Sequence, residues 1–236
     1  ALWTIMYKAI VFDFGNTIAK SGPLANALKA VVVDEKAFVV GKQIEKEISD
    51  LYKPDQIKQP EWTDIWARCF QNFGLTFSEG IGRRHLEEFC RSNETLPNVE
   101  EMLIELKRIG FKLGLLSNAT GPKEIFQNDL ETRGLAKYFD SVVWSCAIGY
   151  RKPSRKAFEA VLGQLSVRPE ETLMIGDSEI ADIEGATEMG MDAALVTPKI
   201  DVETNAKYQV AMDRLFEDVL AIANTGSGRE NRATQL

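Results

Sequence analysis

The sequence predicts an α/β protein whose core is a Rossmann-like parallel sheet, with a helical segment inserted after the first strand. Three observations support this fold class. A short apolar run at residues 7–12 ends abruptly at Asp13 and Gly15. Apolar residues at 24–90 then follow helical spacing, and from Pro97 onward helical and strand patterns alternate. Such alternation indicates right-handed βαβ units and a parallel sheet covered by helices on both faces.

The first strand is predicted within residues 7–18, Tyr-Lys-Ala-Ile-Val-Phe-Asp-Phe-Gly-Asn-Thr-Ile. Its apolar residues are mostly β-branched or aromatic, and Gly15 and Asn16 close the run. This pattern is typical of a buried strand that enters a tight loop. Asp13 is therefore expected at the carboxyl end of the strand, which is the edge where open α/β sheets bind ligands.

Two apolar stripes predict helices in the segment that follows. Residues three or four positions apart share a helix face, so each stripe marks a face that becomes buried. We expect the second, aromatic stripe to form the core of this segment. The stripes are Ile44, Ile48 and Leu51, followed by Trp62, Trp66, Phe70 and Phe73.

Other residues of the same segment give weaker signals. The valines at 31–33 and 39–40 favour strands and leave the first helix ambiguous. His85, the single histidine of the chain, is expected at the surface. A solvated helix face is expected for four of the lysines in this segment, Lys42, Lys46, Lys53 and Lys58.

The alternation after Pro97 gives a series of expected elements. Helices are expected at 99–109, 122–132, 155–165, 180–189 and 212–224, and strands at 111–116, 141–144, 172–177 and 193–197. Residues 225–236 have the composition of a disordered tail, and residues 1–5 are interpreted as an extension.

Composition narrows the possible functions. A net charge of −7 and a pI near 5.0 argue against binding to nucleic acid or to an anionic membrane. No apolar stretch approaches the ~20 residues of a membrane-spanning helix, so the expected location is the cytoplasm. The cysteines Cys69, Cys90 and Cys146 are odd in number and widely spaced, and we expect them to be reduced and structural.

Polar residues follow the ends of several predicted strands. Asp13, Ser117, Lys152, Asp177 and Asp182 are expected to converge at one edge of the sheet. Carboxylates, an ammonium group and a hydroxyl are what metal-assisted phosphoryl transfer requires. An oxygen-only ligand set suits Mg²⁺ rather than zinc. The single histidine lies in the helical insertion, which excludes a histidine-based metal site.

Four ordered motifs carry a resemblance to a known family. Together they resemble the haloacid dehalogenase-like (HAD) hydrolase superfamily with a helical cap of the first insertion class, C1. The resemblance implies a three-layer α/β/α core at 6–18 and 95–224, with a helical cap at 19–94. The motifs are Asp13-Phe-Gly-Asn-Thr17, Leu115-Leu-Ser-Asn118, Gly149-Tyr-Arg-Lys-Pro153 and Ile175-Gly-Asp-Ser-Glu-Ile-Ala-Asp182.

The resemblance implies a metal site and a nucleophile. Asp13 would be the nucleophile that forms an aspartyl-phosphate and would also ligate Mg²⁺. The Gly15 carbonyl and Asp177 would complete the protein ligands, and Asp182 would orient them.

The resemblance also implies which residues hold the phosphoryl group. Thr17 would shape the turn and take part in substrate binding, Ser117 and the Asn118 amide would bind the phosphoryl group, and Lys152 would neutralise developing charge.

The chain departs from the family pattern at Gly15. Family phosphatases usually carry a second Asp at this position, where it acts as general acid and base. Glycine cannot transfer a proton, so the leaving group must obtain its proton from water, the cap or the substrate itself. Sugar phosphatases with Asp-x-Gly-Asn in this loop occur in the superfamily, so the departure does not remove phosphatase activity.

These observations predict a Mg²⁺-dependent phosphatase of a small phosphorylated metabolite, acting as a monomer or a homodimer. A phosphonatase is an alternative, because it also has a small residue at position 15, but it would need a cap lysine to form a Schiff base. A dehalogenase is a second alternative, although Gly176-Asp177 argues against it. A third is a binding module that has lost turnover.

Overall fold

The computed structural model describes residues 7–225 and 229–230. The expected extension at 1–5 and most of the expected tail lie outside these residues. Within the described part of the chain, no helix is long and apolar enough to cross a membrane. The helices are α1 Leu24–Val31, α2 Ala37–Asp50, α3 Trp62–Asn72, α4 Glu79–Ser92, α5 Val99–Ile109, α6 Lys123–Thr132, α7 Ser145–Ile148, α8 Arg155–Leu165, α9 Gly185–Glu188 and α10 Leu215–Thr225.

The described strands form a main sheet of seven strands and a separate pair. In the main sheet the order is β5-β4-β1-β6-β7-β8-β9, and neighbouring strands are parallel except where β9 pairs antiparallel with β8. These pairings confirm the predicted α/β fold class. The strands are β1 Ala9–Phe12, β2 Ala19–Lys20, β3 Glu94–Thr95, β4 Lys112–Ser117, β5 Ser141–Trp144, β6 Thr172–Gly176, β7 Asp192–Thr197, β8 Tyr208–Ala211 and β9 Arg229–Glu230.

Strand β1 lies in the centre of the sheet and is buried along its whole length. Its alternate side chains divide between two hydrophobic cores, as the pleat of a strand requires. Ile10 and Phe12 pack with residues of α5 and α10, whereas Ala9 and Val11 pack with residues of α8. The strand therefore shows a continuous apolar run, the signature of a sheet covered on both faces.

The register of the sheet brings the three strand ends level. Phe12 lies opposite Leu115 of β4 and Ile175 of β6. The polar residues that follow these positions therefore meet at the carboxyl edge of the sheet. This is the edge at which the sequence places the candidate site.

Several predicted elements differ from the observed ones. The helix expected at 180–189 begins as a π-helical turn, Glu179–Glu184, and continues as α9. The helix expected at 212–224 begins with a 3₁₀ turn before α10. Strand β8 was not predicted, because the buried Gln209 interrupts its apolar pattern and bonds instead to the Val202 backbone. Strand β9 lies within the expected tail, where backbone pairing with β8 orders it.

Helices α1–α4 pack together as a unit that we call the cap. Its core contains Trp62, Trp66 and Phe70, and Phe73 packs against it, so the aromatic stripe has the predicted role. The cap joins the sheet through β2 and β3, whose residues Ala19 and Thr95 pair directly. This pairing lies next to the limits expected for the cap, and we retain 19–94 as the proposed cap domain and 6–18 with 95–224 as the proposed core.

Helices α1 and α2 cross closely in the cap because Gly41 has no side chain. A Cβ atom at this position would lie 2.4 Å from the Ala25 Cα atom. The valines at 31–33 that left this region ambiguous end α1, with Val32 already in an extended conformation. The side chains of Lys42, Lys46, Lys53 and Lys58 are exposed, as expected, but only Lys42 and Lys46 lie on a helix.

His85 lies inside the cap, so the prediction that it lies at the surface was wrong. The ring is fully buried. Its Nδ1 accepts a hydrogen bond from Trp66 Nε1 at 2.9 Å, and its Nε2 lies 2.7 Å from the Leu24 carbonyl oxygen. Because the indole can only donate and the carbonyl can only accept, the ring must be the neutral Nε2–H tautomer. Two fixed partners allow this polar ring to occupy a core position.

This burial predicts a loss of stability in mild acid. Burial lowers the pKa of His85 from 6.5 to about 4, despite the opposing influence of the Leu24 carbonyl and the Glu45 carboxylate. Between those values the unfolded chain binds a proton and the folded chain does not, so acidification favours unfolding. We expect the contribution of His85 to the free energy of unfolding to fall by about 2 kcal/mol between about pH 7.5 and about pH 5. Urea denaturation of the native protein and of His85→Gln at both pH values measures this contribution as the change in their difference.

The variant His85→Gln serves as the reference, because it removes the titrating ring and leaves the buried carboxylates of Asp177 and Asp182, which titrate over the same range, unchanged. The single histidine also permits a direct measurement of its pKa by NMR. A folded-state pKa near the ordinary value would contradict the prediction.

Candidate active site

A cavity of about 600 Å³ lies between the cap and the carboxyl edge of the sheet. Five of the eight predicted site residues line it, and they come from the ends of β1, β4 and β6. The cavity is closed on its other side by residues of α2, α3 and α4. The five predicted residues in its wall are Asp13, Gly15, Ser117, Asn118 and Asp177.

Lys152 lies behind this wall and binds two carboxylates. Its Nζ donates to Asp13 Oδ1 at 2.8 Å and to Asp182 Oδ1 at 2.6 Å. The ammonium is almost fully buried. Burial alone would lower the pKa of Lys152, but Asp13 and Asp182 outweigh it and raise the pKa above its ordinary value. The lysine therefore remains charged beside Asp13.

Asp182 holds Lys152 rather than facing the cavity. Its second oxygen, Oδ2, accepts a hydrogen bond from the Ser178 amide at 3.0 Å. The π-helical turn brings this carboxylate back over Gly176, where an added Cβ atom would lie 2.3 Å from the Asp182 carboxyl carbon. Glycine is therefore required before Asp177 because the Asp182 carboxylate occupies the space of a side chain.

Three carboxylates form a compact acidic cluster. Asp13, Asp177 and Asp182 each offer an oxygen, and these oxygens lie within 4.8 Å of one another. Burial, followed by the negative charges of Asp13 and Asp182, raises the pKa of Asp177 to about 8. Like charges this close need a cation to remain ionised together. The oxygen donors fit Mg²⁺, and Asp13 and Asp177 are the pair that lines the cavity.

The Asn118 side chain fixes the backbone of Lys152. Its Oδ1 accepts from the Lys152 amide at 2.8 Å, and its Nδ2 donates to the Lys152 carbonyl at 3.0 Å. Because both polar groups of this side chain are occupied, the main-chain amide is the group of Asn118 that can contact a substrate. Ser117 is buried at the end of β4 and lines the cavity beside it.

Thr17 lies outside the cavity wall, in the turn beneath it. The residue is fully buried, and its hydroxyl has no hydrogen-bond partner within the described residues. Its amide donates to the Phe14 carbonyl at 3.3 Å, so Thr17 takes part in the turn that follows β1. Thr17 therefore lies near the site without lining the cavity.

The space beside Gly15 is occupied by Ser21. A Cβ atom at Gly15 would lie 3.1 Å from Ser21 Oγ, so a side chain there would have to displace the hydroxyl. Three residues that carry a hydroxyl, Ser21, Ser49 and Tyr52, line the cavity. The Tyr52 side chain is partly exposed, but desolvation of its hydroxyl, followed by the charge of Asp13, raises its pKa to about 12, so the phenol stays protonated at neutral pH.

Two further residues of the cavity wall were missed from the sequence. Tyr52 follows the end of α2, and Arg151 precedes Lys152 in the third motif. The position of Arg151 beside a predicted site lysine was a usable signal. Tyr52 gave none, because its place depends on how the cap packs on the sheet. The described residues that line the cavity include no lysine.

Comparison with known proteins gives consistent matches along the chain. A glyceraldehyde 3-phosphate phosphatase of Methanothermobacter thermautotrophicus is 38% identical over 203 residues, covering 83% of this chain and 88% of that protein. A ribulose-1,5-bisphosphate 5-phosphatase of Halopiger xanaduensis is 26% identical over 225 residues, covering 89% and 93%. The crystal structure of a HAD phosphatase from Thermococcus onnurineus has a TM-score of 0.67 and 27% identity, covering 94% of this chain and 99% of that one.

A family model extends this similarity across most of the chain. The model, described as haloacid dehalogenase-like hydrolase, matches residues 10–196. The match spans all four motifs on which the resemblance was based. The chain therefore belongs to the haloacid dehalogenase-like hydrolase family.

Proposed function

We propose that this hydrolase is a Mg²⁺-dependent phosphatase of a small phosphorylated metabolite, with Asp13 as its nucleophile. The observation that carries the proposal is the contact between Lys152 and Asp13 at the floor of a cavity that Asp177 also lines. A carboxylate held by an ammonium, beside a second carboxylate, suits attack on a phosphoryl group.

In the proposed reaction, Asp13 attacks the phosphorus atom and the bond from phosphorus to the leaving oxygen breaks. Water then hydrolyses the resulting aspartyl-phosphate, which releases phosphate and restores Asp13. Lys152 stabilises negative charge on the phosphoryl oxygens, while Ser117 and the Asn118 amide hold them. Asp13, Asp177 and the Gly15 carbonyl would hold Mg²⁺, which neutralises the phosphoryl charge when bound.

The leaving oxygen must obtain its proton without a carboxylic acid at position 15. Water in the cavity or the hydroxyl of Ser21, Ser49 or Tyr52 supplies it in this proposal. Such a donor is weaker than a positioned carboxylic acid, so esters with good leaving groups are favoured substrates in a first assay.

Three kinds of support favour a phosphatase over the alternatives. The relatives compared above carry phosphatase names. A phosphonatase would need a lysine to form a Schiff base, and the described residues that line the cavity include none. In the cap, Lys42 pairs with Glu45 and Lys46 pairs with Asp50, both at exposed positions. The retained acidic cluster argues against a metal-free dehalogenase and against loss of turnover.

The nucleophile can be tested with p-nitrophenyl phosphate, whose leaving group needs little protonation. Asp13→Asn should lower kcat by at least ~10³-fold, because the carboxylate that attacks phosphorus is replaced by an amide. Asp213→Asn, an exposed carboxylate far along the chain, is the matched control and should leave kcat unchanged. Equal turnover by Asp13→Asn and the native protein would rule out Asp13 as nucleophile.

The metal can be tested in the same assay. Removal of Mg²⁺ with a chelator should abolish turnover, and added Mg²⁺ should restore it. Asp177→Asn should raise the Mg²⁺ concentration for half-maximal turnover by at least ~10-fold, because a ligand is weakened. Turnover that persists in the chelator would contradict the metal requirement.

The packing of Gly176 against Asp182 gives a further test. Gly176→Ala should displace the Asp182 carboxylate and leave Lys152 with one partner, which should lower kcat by ~10- to 100-fold and lower the Tm. Gly163→Ala on α8, where an added Cβ atom meets nothing within 4 Å, is the control and should retain full activity. Native kcat and Tm in Gly176→Ala would show that Asp182 does not position Lys152.

A further inference from the structure

Arg151 carries a buried positive charge in the cavity wall without a carboxylate beside it. Its side chain is fully buried. Among the described residues that line the cavity, it is the only cation. The groups that influence its pKa include Tyr52 and Cys146 but no carboxylate, and burial lowers that pKa. A buried charge of this kind is costly unless a counter-charge reaches it.

Neutral groups satisfy only part of this guanidinium. Its Nη1 donates to Thr120 Oγ1 at 2.9 Å and makes a longer contact of 3.5 Å with Gln59 Oε1. Its carbon Cζ lies 5.4 Å from the centre of the Tyr52 ring. The buried Nε has no hydrogen-bond partner within the described residues. A guanidinium has five N–H donors in a planar fork, so donors remain for an acceptor that enters the cavity.

The other carboxylates in the cavity wall do not supply the missing charge. The cavity-lining carboxylates outside the acidic cluster, Glu45 and Asp129, each form an ion pair with another residue. Asp13 of the cluster is paired with Lys152. The charge of Arg151 therefore acts on the contents of the cavity. The pairs are Asp13 with Lys152, Glu45 with Lys42, and Asp129 with Arg133.

We propose that Arg151 binds a second anionic group of the substrate, a carboxylate or a phosphate, while the phosphoryl group lies at Asp13. The inference rests on the proposed phosphatase function and narrows its substrates to short esters with a second negative charge. Guanidinium groups bind both anions through paired N–H donors. Arg151 and Asp13 line the same cavity, so a single small substrate can contact both groups.

Three two-carbon esters test the inference on the native protein. They are 2-hydroxyethyl phosphate, 2-phosphoglycolate and ethylene glycol bisphosphate, which differ in whether the second group is neutral, a carboxylate or a phosphate. We expect kcat/KM for at least one doubly charged ester to exceed that of the neutral ester by ~10- to 100-fold. The better of the two identifies the anion, and equal values for all three overturn the inference.

Variants then assign the preference to Arg151. Arg151→Gln should reduce the ratio of kcat/KM between charged and neutral esters to about one, and Arg151→Lys should retain part of it. Arg155→Gln is the matched control, because Arg155 is exposed and pairs with Glu159 at 2.8 Å, and it should keep the native ratio. A purely structural role would lower kcat/KM for all three esters alike, which would overturn the inference.

Calorimetry on the Asp13→Asn protein measures binding separately from turnover. Tighter binding of a doubly charged ester, lost when Arg151→Gln is added, supports the anion site even if no ester is hydrolysed. Hydrolysis by the native protein without any difference in binding or kcat/KM overturns the anion site and leaves the phosphatase proposal intact. Circular dichroism checks that Arg151→Gln is folded, and the comparison of esters on the native protein decides the matter if it is not.

Discussion

The buried ammonium of Lys152 is the group on which the geometry of the site depends. It joins Asp13, at the end of the central strand, to Asp182, at the first turn after β6. A charged amine is tolerated at such depth only because two carboxylates replace its water. Asn118 fixes the backbone that carries the lysine, and Gly176 leaves room for one of the carboxylates. One buried ammonium group therefore links two segments that are distant in the chain.

The edge on which the site lies could be predicted from the sequence because parallel strands all end in the same direction. This rule places Asp13, Ser117 and Asp177 together as soon as their strands are recognised. The partners within the site could not be predicted in the same way. That Asp182 turns back to Lys152 depends on a π-helical turn, and that Thr17 lies beneath the cavity depends on the shape of one loop. Both are tertiary features without a periodic signal.

The cap shows the same division between periodic and tertiary information. Helical spacing identified its buried aromatic face, because burial repeats with the turn of the helix. It did not identify His85 as a core residue, since the two hydrogen bonds that make burial favourable come from other helices. It also gave no sign of Tyr52, whose place in the cavity depends on the contact between cap and sheet. Residues whose position depends on the contact between cap and sheet are therefore the hardest to predict from a single sequence.

The pairing of Ala19 with Thr95 has a consequence for how this architecture changes over evolutionary time. The chain leaves the core and returns to it at adjacent points, so the two ends of the cap segment lie side by side. Such a segment can be lengthened, shortened or exchanged while the strands on either side keep their neighbours. The carboxyl edge of the sheet and the cap above it can therefore change in sequence at different rates. A new substrate preference can then arise in the cap while the residues at that edge stay the same.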